Sequence, residues 1–435
     1  AGVVALAAGL LAGLVPALRS TGGDLTRSLR TGARGSSVGV GSLRRPTVLS
    51  VAATLQVTCA LVLLVGAGLL LQGLHRLNSV DPGFEPSGLV AFRISPHRAR
   101  YDGDAAARLH ERVLRQVEAV PGVRSATVGC APYAGCGSTD LHVVGRPDPG
   151  EPRRVGWHYV GPDHFRTLGV PLLRGRALTA EDRAGRPRVA VIDETAARRF
   201  WPGEDPIGKR VWFGYAGFES PDSPTEIVGV VGDVLYAPPG GESRPALYTS
   251  YLQHTISSTT VIVRAAGDPS ALVPALRRAV KEVDPDLAIH DVRTMREQAA
   301  EALAPERFAT AALTLFAGLG LLLASLGVYG VMAYSVAQRR REIGIRLALG
   351  STPGRVQRFV LGQGLALAAA GLVLGTAASL ALARALPALI AGIGTADPRV
   401  YAAVVPLLLL VALAACYLPA RAATRVNPVE TIAAD

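Results

Sequence analysis

The stretch TVLSVAATLQVTCALVLLVGAGLLLQGL, residues 47–74, contains no Asp, Glu, Lys or Arg. A helix needs roughly 20 consecutive apolar residues to cross the hydrocarbon core of a bilayer, and this run exceeds that. Three further charge-free runs follow at 308–338, 359–383 and 400–420. A fifth apolar run, 1–18, has no basic segment ahead of it of the kind that opens a secretion signal, and it reads as the end of a membrane helix. The composition agrees, at 49% hydrophobic and only 5% aromatic over 435 residues. The sequence describes an α-helical membrane protein with four complete transmembrane helices and a partial one at its start. Between the first and second complete runs lies a segment long enough for a large folded domain.

The net charge of +11 is unevenly placed. Residues 77–305 carry 27 Lys and Arg against 28 Asp and Glu, so the excess sits in the short segments beside the apolar runs. Arg19, Arg27, Arg30, Arg34, Arg44 and Arg45 precede the second run, and Arg339, Arg340, Arg341, Arg346, Arg355 and Arg358 separate the third from the fourth. Arg421 and Arg425 follow the last. The positive-inside rule then puts 19–46, 339–358 and 421–435 in the cytoplasm, and 77–305 and 387–398 outside. A nucleic-acid partner would need its basic residues on a folded face, and this pattern excludes one.

The external segment reads as α/β. Strand-like 88–95, a helix over 104–120 with Leu109, Val113, Val117 and Val120 on one face, and strand-like 124–130 form one unit. Strand-like 259–265, a helix over 269–283 and strand-like 287–292 repeat that order. Between them, about 140–250 is Gly- and Pro-rich with short aliphatic runs such as RVAVI and TEIVGVVGDV, which predicts a mostly β lobe inserted into the first. Segments 77–87 and 292–307 adjoin membrane runs and are expected to form stalks, the second helical. Cys59 and Cys416 fall within membrane runs, while Cys130 and Cys136 fall in the external domain, where disulfides persist. The spacing leaves both readings of that pair open, a bridge or two free thiols.

Within the inserted lobe, Gly203-x-x-x-x-Gly208-Lys209 has the outline of a phosphate-binding loop. Such a loop follows a strand and opens a helix, so that backbone N–H groups hold phosphate. Here DETAARRFW before it is helix-like and KRVWFG after it strand-like. Arg210 stands where the Mg2+-binding Ser or Thr belongs, Pro206 lacks a backbone donor, and Glu204 and Asp205 repel phosphate. The stretch reads as a helix-to-strand turn. No HExxH, GxSxG or Cys/His metal spacing occurs, and the eight His are scattered, so no catalytic, cofactor-binding or metal-ligating set is expected.

The segment QRRREIGIRLALGSTPGRVQRFVLGQG, residues 338–364, carries the functional reading. Residues 341–349 can form a short helix with Ile343 and Leu347 on one face and Ile345 and Leu349 on another, stopped at Gly350. From the residues alone two roles stand open: docking into a cytosolic motor, or an interfacial helix whose arginines hold topology. The segment resembles the cytoplasmic loop of MacB/FtsX-type ABC transporter permeases, whose usual pattern is R-x-x-E-I-G-I/L-x-R-A-L-G-A. FRTLGVPLLRGRALTAED (165–182), VAVIDETAARRFWPGEDPIGKRV (189–211) and EIVGVVGDV (226–234) are similar to the external core domain of the same group. Leu347 and Ser351 depart mildly from the loop pattern.

The resemblance implies a bacterial inner-membrane permease without ATPase activity, driven by a separate cytosolic ABC ATPase and exporting drugs, peptides or lipid-linked cargo. An alternative it also allows is an FtsX-like regulator that activates a cell-wall hydrolase. Arg341, Glu342, Ile343, Gly344, Ile345, Arg346, Leu347, Leu349 and Gly350 would form the coupling helix. GLVPALRS near the start and CYLPARAA near the end both run an apolar helix into (Val/Leu)-Pro-Ala and Arg. Residues 1–18 are therefore expected to end a preceding permease repeat, with a second permease unit fused upstream or present as a dimer partner.

Overall fold

The computed structural model describes residues 48–97, 100–101, 104–133, 136–146, 153–214, 222–236, 244–253, 259–349, 351–385 and 397–424. The expected partial helix 1–18, the linker 19–46, Gly350 and the tail beyond 424 lie outside the described residues.

Four helices are long and apolar enough to cross a membrane: α1 (Val48–Ser79), α7 (Ala304–Gln338), α9 (Pro353–Ala385) and α10 (Pro398–Thr424). A short helix, α8 (Arg340–Ala348), joins α7 to α9. Their shared core joins Val57, Leu61 and Val65 of α1 to Ala324, Val328 and Met332 of α7, Val360 and Leu372 of α9, and Leu408 and Cys416 of α10. Small residues let the backbones approach. A Cβ on Gly371 would lie 2.7 Å from Val57, and one on Gly375 would lie 3.0 Å from Leu61. Thr58 donates its hydroxyl to the Gly371 carbonyl at 3.2 Å across the same contact. The Gly371-x-x-x-Gly375 pair thus packs α9 on α1 within one chain. Gly318, by contrast, meets nothing within 4 Å.

The external domain holds an eleven-stranded sheet among the described residues. One part is the antiparallel array β11-β1-β10-β2, formed by β1 (Leu89–Ile94), β2 (Val123–Gly129), β10 (Thr259–Ala265) and β11 (Ile289–Thr294). Helices α2 (Asp104–Glu118) and α5 (Pro269–Val283) cover one face of it. Leu109, Val113 and Val117 meet Leu276 and Val280 over Phe92, Val128 and Val261. This is the split βαβ arrangement, which sends each helix back over the same side of the sheet. β11 runs two residues past the expected end because its pairing with β1 continues to Val90↔Thr294. Residues 292–294, expected to begin a stalk, therefore belong to the sheet.

The second part closes on itself. β3 (Gly137–Val143), β4 (Arg154–Val160), β6 (Val189–Asp193), β7 (Arg210–Phe213), β8 (Thr225–Val231) and β9 (Ala246–Ser250) run in the order β4-β3-β7-β8-β6-β9, and β9 pairs back onto β4. β5 (Leu172–Gly175) pairs with β8 beside the ring. Closure leaves a ring strand no free edge, and every ring strand sends side chains into one core, among them Leu141, Trp157, Ile192, Phe213, Ile227 and Leu247. Helix α4 (Glu194–Phe200) adds Ala196, Phe200 and, just beyond it, Trp201. Gly203 (φ +75°) and Gly208 (φ +77°) then carry the helix-to-strand turn into β7, and Lys209 pairs with Glu204 at 3.3 Å.

The two parts share a third core, built on Leu89, Ala91, Phe165, Leu168, Val191, Tyr248 and Ile262. Phe165 and Leu168 come from the short helix α3 (His164–Leu168). Both connections to the membrane also end there. Phe84 of the first lies in it, and the Arg264 guanidinium holds that segment by donating to the carbonyls of Glu85 (2.9 Å) and Ser87 (3.0 Å). In the second, Thr294 and Glu297 form a capping box that starts α6 (Met295–Ala302), Met295 lies in the shared core, and Leu303 leads into α7.

This packing makes two outcomes measurable. Gly371→Leu should destabilise the detergent-solubilised bundle by about 1–3 kcal/mol through overpacking, whereas Gly318→Leu should leave its thermal midpoint unchanged. The other concerns pH. Burial pushes His110 down to about 4 and both His158 and His164 down to about 3. The unfolded chain protonates these rings below about pH 6.5 while the native state does not, so stability falls from there toward pH 3. Burial raises the Asp193 carboxyl to about 7, which acts oppositely, its contribution being lost as pH rises through 7. Three imidazoles outweigh one carboxyl. All three tryptophans lie in the ring, so the melting midpoint of Trp fluorescence should fall between pH 7 and pH 5. The slope should be shallower in His110→Gln and steeper in Asp193→Asn.

Candidate functional site on the turn between the second and third spans

Arg339 ends α7 and precedes α8, with no side-chain cap of its own, so the chain turns without leaving helical geometry for more than one residue. Ile343 N–H donates to the Arg339 carbonyl at 2.9 Å, and Leu349 N–H to the Ile345 carbonyl at 2.9 Å. Ser351 N–H closes the far end on the Arg346 carbonyl at 2.9 Å, and Arg355 N–H donates to Thr352 at the start of α9.

The two faces of α8 are separated as the spacing predicts. Ile343 and Gly344 are buried and Leu347 packs against the bundle core beside Val336 and Val356. On the other side Ile345 is 45% exposed and Leu349 82% exposed. Arg340, Arg341, Glu342 and Arg346 are also exposed. Glu342 and Arg346 pair at 2.5 Å one helical turn apart, with the acid on the N-terminal side. Half-exposed pairs of this kind contribute about 0.3–0.5 kcal/mol, so this one orients side chains more than it stabilises the fold. The Arg346 guanidinium also lies 5.4 Å from the centre of the Phe359 ring, a second restraint on its direction. Together with Arg355 and Arg358 on α9, the turn presents a basic rim around two apolar side chains. An apolar pair inside a charged rim is how a protein contact is built, with the apolar groups supplying affinity and the charges register.

Mechanically, α8 stands at the inner end of α7, whose 35 residues form one helix about 52 Å long. That exceeds the roughly 30 Å hydrocarbon core, so the same helix reaches past the membrane toward α6 and the external domain. On the outer side, Asp397 at the start of α10 accepts hydrogen bonds from Gln72 and from Arg76 (3.3 Å) of α1.

Elsewhere the structure joins residues that the sequence leaves scattered. Cys130 and Cys136 form a disulfide with their Cα atoms 5.8 Å apart. His158 and His164 are both buried; the His164 Nε2 lies 3.0 Å from the Tyr236 hydroxyl, and the His158 ring stacks on Tyr236 at 3.8 Å. Periodicity could not place Tyr236 against these two imidazoles, since it lies 72 residues beyond His164 and reaches them only through tertiary packing.

Residues 314–428 match the FtsX-like permease C-terminal family, and residues 50–283 match the MacB-like periplasmic core domain family. The macrolide export ATP-binding/permease protein MacB of Azoarcus sp. (strain BH72) is 29% identical over 279 residues, covering 61% of this chain and 40% of that protein. The uncharacterized ABC transporter permease YknZ of Bacillus subtilis is 25% identical over 268 residues, covering 59% of this chain and 64% of that one. The chain thus spans about two fifths of the length of the MacB relative. The crystal structure of the periplasmic region of MacB from Actinobacillus actinomycetemcomitans aligns at 18% identity and a TM-score of 0.35, over 52% of this chain and 98% of that one.

The exposure pattern separates anchoring from presentation on α8. Ile343→Asp places a charge among Val336 and Val356 and should lower the thermal midpoint of the purified protein markedly. Ile345→Asp, on the exposed face, should stay within about 0.5 kcal/mol of wild type.

Proposed function

This chain belongs to the MacB-like periplasmic core domain family and carries an FtsX-like permease region, making it a multi-pass permease of the bacterial inner membrane with an extracytoplasmic domain; on that premise we propose that it couples a separate cytosolic ABC ATPase to movement of that domain. The observation that carries the reading is the outward face of α8, with Ile345 and Leu349 exposed between Glu342 and a rim of arginines at the end of the α7 helix. Ile345 and Leu349 supply the apolar contact with the motor, and Arg341, Glu342 and Arg346 the polar one. Ile343, Gly344 and Leu347 anchor the helix to the bundle, and Gly350 stops it.

ATP hydrolysis belongs to the partner. Residues 203–209 form a turn whose lysine is paired with Glu204 and whose order, helix then strand, is the reverse of a phosphate-binding loop. The work done is export of drugs, peptides or lipid-linked cargo taken up outside the cytoplasm. Charged side chains that would line a polar path through the membrane are absent from the apolar runs of all four spans. A second permease unit, fused upstream or supplied by a dimer partner, completes the assembly.

Affinity capture of the membrane-extracted protein tests this. Wild type should retain an ABC ATPase subunit identified by mass spectrometry, and Glu342→Arg/Ile345→Asp at matched expression should lose it. An ATPase retained equally by both would overturn the role of α8. A cell-wall hydrolase recovered with the ATPase would replace transport by hydrolase activation.

A further inference from the structure

The external domain brings together three ligand-type side chains that coupling does not use. β4 lies between β2 and β3 in the sheet. Cys130 directly follows β2, where its N–H donates to the Tyr159 carbonyl of β4 at 3.2 Å, and Cys136 directly precedes β3. His158 sits on β4 between them. One nitrogen of its imidazole and the two sulfurs all lie within 4.8 Å of one another. Cys130 and His158 are buried at 2% and 4% exposure, while Cys136 is exposed and forms the open side.

The bridge alone explains the cysteines but not the imidazole. The Nδ1 atom of His158 is buried without a hydrogen-bond partner, a costly arrangement for a polar atom that an aliphatic side chain would avoid. The ring is held by stacking on Tyr236 at 3.8 Å and by Tyr248 at 5.4 Å, so its direction is set in advance.

We propose that, once the disulfide is opened, Cys130, Cys136 and His158 hold a single thiophilic cation of the Cu+ type, three-coordinate through two sulfurs and one nitrogen. Thiolate ligands select soft d10 ions, and Zn2+ in closed sites takes four ligands where only three converge among the described residues. Opening the bridge needs a dithiol reductant. It gives two electrons and two protons to the Cys130–Cys136 bond and is itself oxidised to a disulfide. Cu+ binding then releases both thiol protons to solvent and forms two S–Cu bonds and one N–Cu bond. The bridged and metal-bound forms exclude each other, so the site is closed by oxidation.

The site also touches a connection to the membrane. Tyr133, inside the Cys130–Cys136 loop at φ +63°, packs on Phe84 with ring centres 5.6 Å apart. Exchange of the bridge for a metal would therefore alter a contact with the first stalk.

The test is titration of the full-length, detergent-solubilised chain with Cu+ against a chromophoric Cu+ chelator, after phosphine reduction and anaerobic desalting. Reduced wild type should bind one Cu+ more than the oxidised protein. X-ray absorption should show two sulfur neighbours and one nitrogen. Substitution of groups that merely support metal ligands costs about 10- to 100-fold in affinity, so Cys136→Ser should weaken binding by about 100-fold or more. Reduced wild type lacks the bridge as well, so the two proteins are compared in the same open state, with Trp fluorescence reporting that the ring stays folded in each; the membrane cysteines remain in both proteins and cancel. His158→Gln should weaken binding and remove the nitrogen scatterer, with Trp fluorescence reporting that the ring stays folded. Equal Cu+ binding by reduced wild type and Cys136→Ser would overturn the proposal. So would a two-sulfur site unchanged in His158→Gln, or tighter four-coordinate binding of Zn2+ under the same conditions.

Discussion

The burial of Phe84 and Met295 in one core is the contact on which the rest of the molecule depends. Each belongs to one of the two chain segments that tie the external domain to the membrane. If either were exposed, that connection would lose its packed attachment to the domain. Arg264 reinforces the first connection through backbone carbonyls, and the Thr294–Glu297 capping box reinforces the second. Both use satisfied polar groups beside apolar burial.

Closure of the β-ring solves a different problem. The inserted segment is made of short strands, and short strands in an open sheet expose unpaired backbone groups to aggregation. Pairing β9 back onto β4 removes that edge and at the same time fixes where β4 lies relative to β2. The junction between the two sheet parts along β2 and β4 is narrow, a single paired position at Gly129 and Val160. The shared core around Tyr248 and Phe165, rather than the hydrogen-bond ladder, holds the parts together.

Along the membrane, the same economy appears in reverse. The bundle buries little of each span; of the most apolar window of α7 only 17% is buried within the chain. Leu315, Phe316, Leu319, Leu322 and Leu326 remain on its outer surface, as suits a helix facing lipid or another span. Glycines bring α9 against α1, because apolar side chains gain little from leaving lipid and close van der Waals contact must supply the attraction.

Much of this was legible from the amino-acid order. Charge-free runs mark the four spans because lipid tolerates no unsatisfied charge, and arginine placement orients them. Helices α2 and α5 and the short α8 were readable from local periodicity, down to the division of Ile343 and Leu347 from Ile345 and Leu349. Closure of the ring, the common core at the two stalks, and the meeting of His158 with the Cys130–Cys136 bridge were not. The ring and the stalk core depend on segments far apart in sequence becoming neighbours, and the cluster depends on β4 lying between β2 and β3; period-two alternation says which residues share a face but not which strand lies alongside. Local pattern and the bilayer therefore determined the elements and their orientation, while strand pairing and tertiary packing alone decided the ring and the cysteine–histidine cluster.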